Sequence, residues 1–402
     1  MFTALLLANA GLKPRIIDRE SRPATHSYAC GLHPRTLTLL AQVGLLDDAV
    51  RRGRRIDTVA IYEGPNRHAE VKLSKLPLDY PFVLVLPQSD LEELLEEKLR
   101  AKAGIEVMWN HRLASLHTEG DRVLANIDKL GETASGYGVP HWDSIVVKTL
   151  QIEARFVVGA DGHESFVRRA LGIDYAAIAE PELFVVYEFD SDAAPEAEVR
   201  IVFDETTTNV LWPLPRGRCR WSFQWSHADA GSEFPGKDRN AFWVESAPVA
   251  RRTKEHLQQL VHARAPWFTG SVDDVDWAID VQFERRLAAR FGQGHCWLVG
   301  DAAHQTGPVG MQSLNMGLLE AEALAGHLHQ VLQDGAWVDV LANYNRTYRT
   351  EWQHLLGVDA RVEPVESAVQ ASLRAPSKLL SCLPGSGMEL RMMLRQLGFD
   401  LK

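Results

Sequence analysis

Two apolar runs in this chain end in a pairing of glycine with aspartate. Phe156-Val157-Val158-Gly159-Ala160 leads into Asp161-Gly162, and Cys296-Trp297-Leu298-Val299 leads into Gly300-Asp301. A buried-type strand that stops at a carboxylate and is followed by a loop and a helix brings an acceptor and a helix N-terminus to the carboxyl edge of a parallel sheet. Open α/β folds bind nucleotides there. After Asp301 the chain continues Ala302-Ala303-His304-Gln305-Thr306-Gly307-Pro308-Val309-Gly310-Met311-Gln312-Ser313-Leu314-Asn315-Met316-Gly317. Its glycines and Pro308 let backbone amides approach a flat anionic ring, and a helix starting near Gly310 aims its positive end at the same point.

Periodicity supplies the elements that must hold these turns. Thr3 to Gly11 reads as a helix with a glycine stop, followed by the β-branched strand Arg15-Ile16-Ile17 that ends at Asp18. Arg35 to Leu46 reads as one amphipathic helix, and Thr58 to Tyr62 and Val83 to Leu86 as strands. Ser89-Asp90-Leu91-Glu92 has the form of a capping box, ahead of an apolar face made by Leu91, Leu94, Leu95 and Leu99. Leu183 to Val186, Val199 to Phe203, Val210 to Leu214 and Arg220 to Trp225 are short strands, so the middle of the chain is mostly β. Ser226 to Asn240 reads as a loop, and the tail beyond Tyr344 as helical, broken at Pro364, Pro376 and Pro384.

The residues of the 300–321 segment resemble the second FAD-binding motif of the para-hydroxybenzoate hydroxylase-like flavoprotein monooxygenases, the single-component aromatic hydroxylases. Gly300-Asp301-Ala302-Ala303-His304, Pro308, Gly310, Gln312, Asn315, Gly317 and Ala321 carry the likeness without a gap. Met311 and Ser313 stand where that family usually has glycine, and Glu320 where it usually has aspartate. Val158 to Arg168 is similar to the family's Asp-Gly motif, which serves both FAD and the nicotinamide cofactor. His33-Pro34-Arg35-Thr36 and Gln88 resemble the positions that hold the FAD diphosphate and ribityl chain. The resemblance implies an α/β fold: a discontinuous Rossmann-like FAD-binding domain at 1–172 and 283–345, a mostly antiparallel substrate domain at 173–282, and a helical tail at 346–402.

In the same family Asp18 matches the acidic residue that bonds the adenosine ribose, and a Gly-x-Gly-x-x-Gly turn lies about 20 residues before it. The implied expectation is that this turn and the first strand precede Met1. The implied activity is a monooxygenase reaction. NADH or NADPH reduces FAD, O2 adds to give a flavin hydroperoxide, and one oxygen passes to a phenolic or related electron-rich ring. Asp18, Arg35, Gln88, Asp161, Gly300, Asp301, Gly310 and Asn315 are the expected cofactor-binding residues. Pro308, beside the flavin ring, is the expected catalytic position. Within this scaffold the alternatives are epoxidation, halogenation, or a non-catalytic remnant unable to hold FAD. Trp277-Ala278-Ile279-Asp280 does not match the Trp-x-Trp-x-Ile-Pro segment expected of a halogenase.

Each functional residue also has a plainer reading. Asp301 could be a helix cap, Asp161 and Arg168 a surface ion pair, Arg35 a solvated helix residue, and His304 a loop support rather than a proton carrier. The cluster Arg51, Arg52, Arg54 and Arg55 suits a helix C-terminus and a solvated face. Trp221, Phe223 and Trp225 alternate along a strand, so one face carries all three, either as sheet core or as the wall of an aromatic pocket.

Composition narrows the function classes. The 402 residues are 46% hydrophobic and 24% charged, which excludes a disordered chain, a collagen or a coiled coil. A formal charge of −10 disfavours nucleic acid as a partner. Cys30, Cys219, Cys296 and Cys382 form no CxxC pair, so no metal site or disulfide framework is expected and a cytoplasmic location fits. No run is long and apolar enough for a membrane span. The expected partners are a small aromatic substrate and O2.

Overall fold

The opening leucines form α1 (Phe2–Asn9), which buries Phe2, Ala4, Leu5 and Leu7. It leads into the short strand β1 (Ile16–Ile17). The computed structural model describes residues 1–22, 29–135, 141–192, 197–225, 253–365 and 378–402. After β2 (Gly31–Leu32), Pro34 with its preset φ starts α2 (Pro34–Gln42). The single helix expected to run to Leu46 is two. Gly44 takes a left-handed φ of +68°, the turn ends α2, and α3 (Leu46–Arg52) sets off separately.

Next come the antiparallel hairpin β3 (Thr58–Glu63) and β4 (Asn66–Lys72), then β5 (Val83–Val85), which pairs with β2. Helix α4 (Gln88–Ala103) buries Leu91, Leu94, Leu95 and Leu99, as their spacing required. It begins one residue before Ser89, with Pro87 as N-cap and no side-chain cap bond. The expected capping box is therefore not made, because Ser89 already lies inside the first turn. Strand β6 (Val107–Met108) then pairs in parallel with β1.

A three-stranded antiparallel arm, His111–Glu119, Arg122–Ser135 and His141–Ala154, leads to β7 (Val157–Gly159) and the short helix α5 (Phe166–Ala170). The strands β8 (Glu182–Asp190), β9 (Glu198–Phe203), β10 (Thr208–Pro213) and β11 (Arg218–Gln224) follow. Helix α6 (Lys254–Arg264) and β12 (Val275–Phe283) complete the middle of the chain. A seven-stranded sheet forms in the order β12-β8-β11-β10-β9-β3-β4, so it also takes two strands from residues 58–72. All its pairings are antiparallel except β9 with β3. The loop expected at Ser226 to Asn240 lies outside the described residues.

Strand β13 (Cys296–Leu298) pairs in parallel with β7, so the two glycine–aspartate turns leave adjacent strands. The pairs β1–β6 and β7–β13 belong to separate sheets. Helix α7 (Gln312–Leu332) packs along α1, and α8 (Leu341–Leu355) packs on α7. The tail adds α9 (Lys378–Cys382) and α10 (Gly387–Gln396), whose Leu379, Leu380, Leu390, Met393 and Leu394 join the main core. No helix among the described residues is long and apolar enough to cross a membrane.

Side-chain alternation divides the large sheet between two cores. Phe184, Val186, Ile201, Val210 and Trp212 face the main core with the nucleotide-type strands. Val185, Tyr187, Phe189, Leu211, Trp221 and Phe223 face a second core closed by Leu257, Leu260 and Val261 of α6 and by Phe268. The Trp221–Phe223 stripe is therefore sheet core, with stacked rings 4.8 Å apart, and Trp225 stacks on His256. Trp221→Ala should lower unfolding stability by about 3–5 kcal/mol through the cavity it leaves. Urea denaturation followed by far-UV circular dichroism measures this, and a loss under about 1 kcal/mol would contradict the core assignment.

Candidate functional site

Gly300 adopts φ +65°, a left-handed turn that needs no Cβ, immediately after β13. Its amide donates to Glu320 Oε2 at 2.9 Å. The same carboxylate takes His304 Nε2, 2.9 Å from Oε2, and Trp352 Nε1, 2.6 Å from Oε1. Glu320 and His304 are both fully buried, and the imidazole stacks on Trp352 at 3.7 Å. His304 is thus a loop support held between α7 and α8. Glu320→Leu would strand three buried donors, each costing about 1–3 kcal/mol. An unfolding free energy lower by about 3 kcal/mol or more is expected from guanidinium titration.

The second turn is tied to the first. Asp161 accepts from Ser165 Oγ at 2.5 Å and from the Val167 amide at 3.0 Å, so its carboxylate serves the head of α5. Arg168 is buried, and its guanidinium donates to Ala302 O at 2.8 Å and to His163 O at 2.6 Å while lying 3.8 Å over the Tyr175 ring. It acts as a bridge between the turns and not as the surface ion pair considered from sequence. Tyr175 in turn donates its hydroxyl to Asp301 O at 3.1 Å.

These contacts hold the backbone on both sides of Asp301 and leave its side chain out. The half-buried carboxylate has no hydrogen-bond donor among the described residues. Burial raises its carboxyl above the ordinary range, with His304 opposing and Glu320 reinforcing.

Asp18 is exposed, and its backbone carbonyl accepts from the His111 amide while its Oδ1 accepts from Glu20 N at 2.9 Å. Met1, at the head of α1, lies within electrostatic reach of Asp18 and of Glu92. Glu92 in turn accepts from Gln88 Nε2 at 2.8 Å, so Asp18, the start of α1 and Gln88 are gathered on one side. Arg35 is exposed in the first turn of α2.

The loop before α7 differs from what its glycines suggested. A Cβ on Gly310 would meet the Ser381 carbonyl at 2.4 Å, so the close approach that demands glycine here is made by the protein's own tail. Met311 occupies the left-handed region at φ +54°, where the related motif has glycine. Gln312 donates to Leu383 O and Gly385 O, both at 2.6 Å, fastening the head of α7 to the tail.

Asn315 spends its whole side chain on the protein. It accepts from the His33 amide at 2.7 Å and Thr36 Oγ1 at 2.8 Å, and donates to Gly31 O and Met311 O. No atom of its side chain is left for a ligand. Burial pushes the His33 imidazole down to about 3, so the ring is neutral, with Nε2 2.8 Å from Gly310 O. Pro308 is buried between Gly307 and Val309. The first turn of α7 has no acidic residue and no side-chain cap, so its positive end is uncompensated by the protein.

Sequence reasoning missed a buried charge pair at the seam between the large sheet and β2. Arg220, 2% exposed, donates Nε to Glu188 Oε1 at 2.8 Å, Glu188 also accepts from Arg218 at 2.7 Å, and burial next to Arg220 leaves the Cys30 thiol pushed up to about 11. Arg220 alternates with Trp221, and that alternation was the available signal that it faces the other core.

A carboxylate without a protein donor at the end of a parallel strand, and a helix head without an acid, fit a group that carries hydroxyls beside an anionic ring. FAD is such a group. Asp301, the backbone of Gly300 and the head of α7 would hold it. Asp301 also makes a pH statement. Its carboxyl is raised in the folded state, so the folded protein binds the proton more tightly, and stability is lost as the pH climbs above the ordinary value of 3.8 and stays lower at neutral pH. Asp301→Asn should therefore raise Tm of the flavin-free protein at pH 7 while weakening FAD binding. Thermal melts and quenching of FAD fluorescence check both, and a lower Tm with unchanged affinity would make the carboxylate a cap.

Comparison with known proteins gives the same direction. Para-nitrophenol 4-monooxygenase of Pseudomonas sp. (strain WBC-3) is 28% identical over 351 residues, covering 86% of this chain and 79% of that protein. 6-Methylpretetramide 4-monooxygenase of Streptomyces rimosus is 29% identical over 341 residues, 84% of this chain, which spans 55% of the relative's length. In fold, the chain matches the crystal structure of p-nitrophenol 4-monooxygenase PnpA from Pseudomonas putida DLL-E4 with a TM-score of 0.74 at 24% identity, covering 98% of this chain and 93% of that one. The family model described as FAD binding domain extends over residues 1–356, both glycine–aspartate turns and the whole of α7 included, and the chain belongs to that family.

Proposed function

We propose that this protein is an FAD-dependent monooxygenase that consumes NADH or NADPH and hydroxylates an aromatic, phenolic or related electron-rich substrate. The unpartnered Asp301 carboxylate beside the uncompensated head of α7 is the observation that carries the reading, and relatives named as monooxygenases of aromatic compounds support it. The balance is one ring C–H, one O2, one NAD(P)H and one proton giving one ring C–OH, one water and NAD(P)+. When bound, FAD supplies the redox chemistry, taking electrons from the nicotinamide and activating oxygen.

The protein's share is binding, orientation and exclusion of water. Asp301 accepts hydroxyl donors in a site where burial already disfavours its lone charge, so a ligand's hydroxyls relieve a cost the folded chain carries. The amides at the head of α7 face developing negative charge without reorganising, because Gln312 and Asn315 pin that head to the tail and to α2. Pro308 adds a rigid backbone segment whose neighbours Gly307 and Val309 line a narrow cleft under the large sheet. Asp18, Arg35, Gln88 and Asp161 remain the proposed contacts for the rest of the dinucleotide. The four cysteines are free and buried, which suits a cytoplasmic enzyme.

The test supplies FAD-loaded protein with NADH or NADPH and a panel of phenols under 18O2. One labelled oxygen in the ring product and one in water is the expected result. Nicotinamide oxidation that yields only hydrogen peroxide with every phenol would overturn the assignment.

A further inference from the structure

A cleft of about 330 Å³ lies between the head of α4 and the end of the large sheet far from Gly307. That volume is within the range of small-molecule sites. Two of its three arginines already have partners. Arg52, at the end of α3, is paired with Glu93 at 2.6 Å, and Arg218 of β11 with Glu188 at 2.7 Å and Asp276 at 2.8 Å. The third, Arg216, has no carboxylate within ion-pair distance among the described residues. It stands at φ +64°, in the left-handed region, in the turn between β10 and β11. A non-glycine residue at such a position is strained, and here the strain holds a guanidinium at the cleft.

The unmade capping box leaves two further groups without partners. Neither Ser89 nor Asp90, both in the cleft wall, makes a side-chain hydrogen bond among the described residues. Burial raises the Asp90 carboxyl above its ordinary range, with Arg52 and Arg216 opposing and Glu93 reinforcing. Asp90 and Arg216 are therefore within electrostatic reach of each other without touching: one is an acceptor lacking a donor, the other a donor lacking an acceptor. The apolar part of the wall is the Trp277 ring with Pro87, Leu214 and Pro215.

A ligand that answers these features carries a flat ring, a hydroxyl donor and an anionic group. A ribonucleotide has all three, with its base for Trp277, its ribose hydroxyls for Asp90, and its phosphates for Arg216 and the amides at the head of α4. The position suits a dinucleotide that must also reach the flavin. Gln88, a proposed FAD contact, begins the same helix α4. Glu188 in this cleft and Glu182 over Gly307 leave one face of β8 six residues, or about 20 Å, apart, a span that an extended dinucleotide covers. Arg168 of the Asp-Gly motif is tied to Ala302 O and His163 O, so its guanidinium is engaged by the protein itself.

We propose that this cleft holds the adenylate half of the nicotinamide reductant, with the ribose hydroxyls on Asp90 and the diphosphate on Arg216, and that it selects NADH over NADPH. The inference rests on the monooxygenase reading and adds to it the reductant's site and identity. A carboxylate at the ribose accepts free hydroxyls and repels a phosphate standing in their place.

Two probes that cannot be oxidised, ADP-ribose and 2′-phospho-ADP-ribose, test this by calorimetric titration of the FAD-loaded protein. ADP-ribose should bind at least about tenfold tighter than its 2′-phosphate. Arg216→Gly, which suits the left-handed backbone, should weaken both probes by about tenfold. Asp90→Asn should bring the two probes to within about twofold of each other. Neither substitution removes a hydrogen bond or ion pair described above, so Tm should not fall. Absence of ADP-ribose binding overturns the inference, as do tighter binding of the 2′-phosphate and affinities that neither substitution moves. If phenols are still hydroxylated at the expense of NADH or NADPH in those cases, the monooxygenase reading stands and this inference alone falls. If ADP-ribose binds with the expected dependence on Arg216 and Asp90 while no phenol is hydroxylated, the nucleotide site stands and the monooxygenase reading falls.

Discussion

The buried carboxylate of Glu320 is the contact on which the site's geometry depends. It stands on α7, away from water, and holds three donors: the Gly300 amide, the His304 imidazole and the Trp352 indole. A lone carboxylate in such a place would be costly, so the three donors are its condition for being there. They also join the turn after β13 and the short strand that directly follows it to α8, a distant piece of the chain. With the Gly300 amide pinned inward, the next side chain, Asp301, is left facing the open side. Its carboxylate has no hydrogen-bond donor among the described residues, while Glu320 holds the inward position beside it.

Two buried arginines solve the same problem in different ways. Arg168 gives its hydrogen bonds to two backbone carbonyls and its face to Tyr175, so it binds the two glycine–aspartate turns without needing a counter-charge. Arg220 takes Glu188 as partner at the seam of the large sheet. The first arrangement fixes a distance within the nucleotide-type half, and the second ties together two neighbouring strands of the large sheet, β8 and β11. Both are charge-assisted and shielded from solvent, so salt weakens them little.

Much of this was legible in the sequence, for reasons that can be named. The strands that end in Gly159 and Gly300, the leucine face of α4 and the alternating strands of the middle region all follow from periodicity, which reports burial directly. Failures came where a tertiary contact set the outcome. Two further differences are local: the left-handed Gly44 ends α2 inside the expected helix, and α4 starts one residue early, with Pro87 as N-cap, so the capping box at Ser89 goes unused. Gly310 looked like room for a ligand, yet Ser381 fills that space, and no local pattern announces a contact across 71 positions. Asn315 shows another limit: the motif predicts that the residue matters, but only the structure shows that its side chain serves α2 and the loop rather than a ligand. The Trp221 stripe had two readings because alternation assigns a common face without saying what covers it.

The family model ends at residue 356, yet α9 carries Lys378 into the wall of the narrow cleft beside Pro308 and presents Ser381 to Gly310. The tail thus supplies one wall of a cleft whose other walls, Glu182, Phe184, Thr208, Arg285, Gly307 and Val309, lie within the family model. Evolution can revise the tail, altering the size and charge of one wall, without disturbing Glu320 or the turn it holds. The restriction is at Gly310: any replacement tail must still bring a bare carbonyl, and not a side chain, against that backbone.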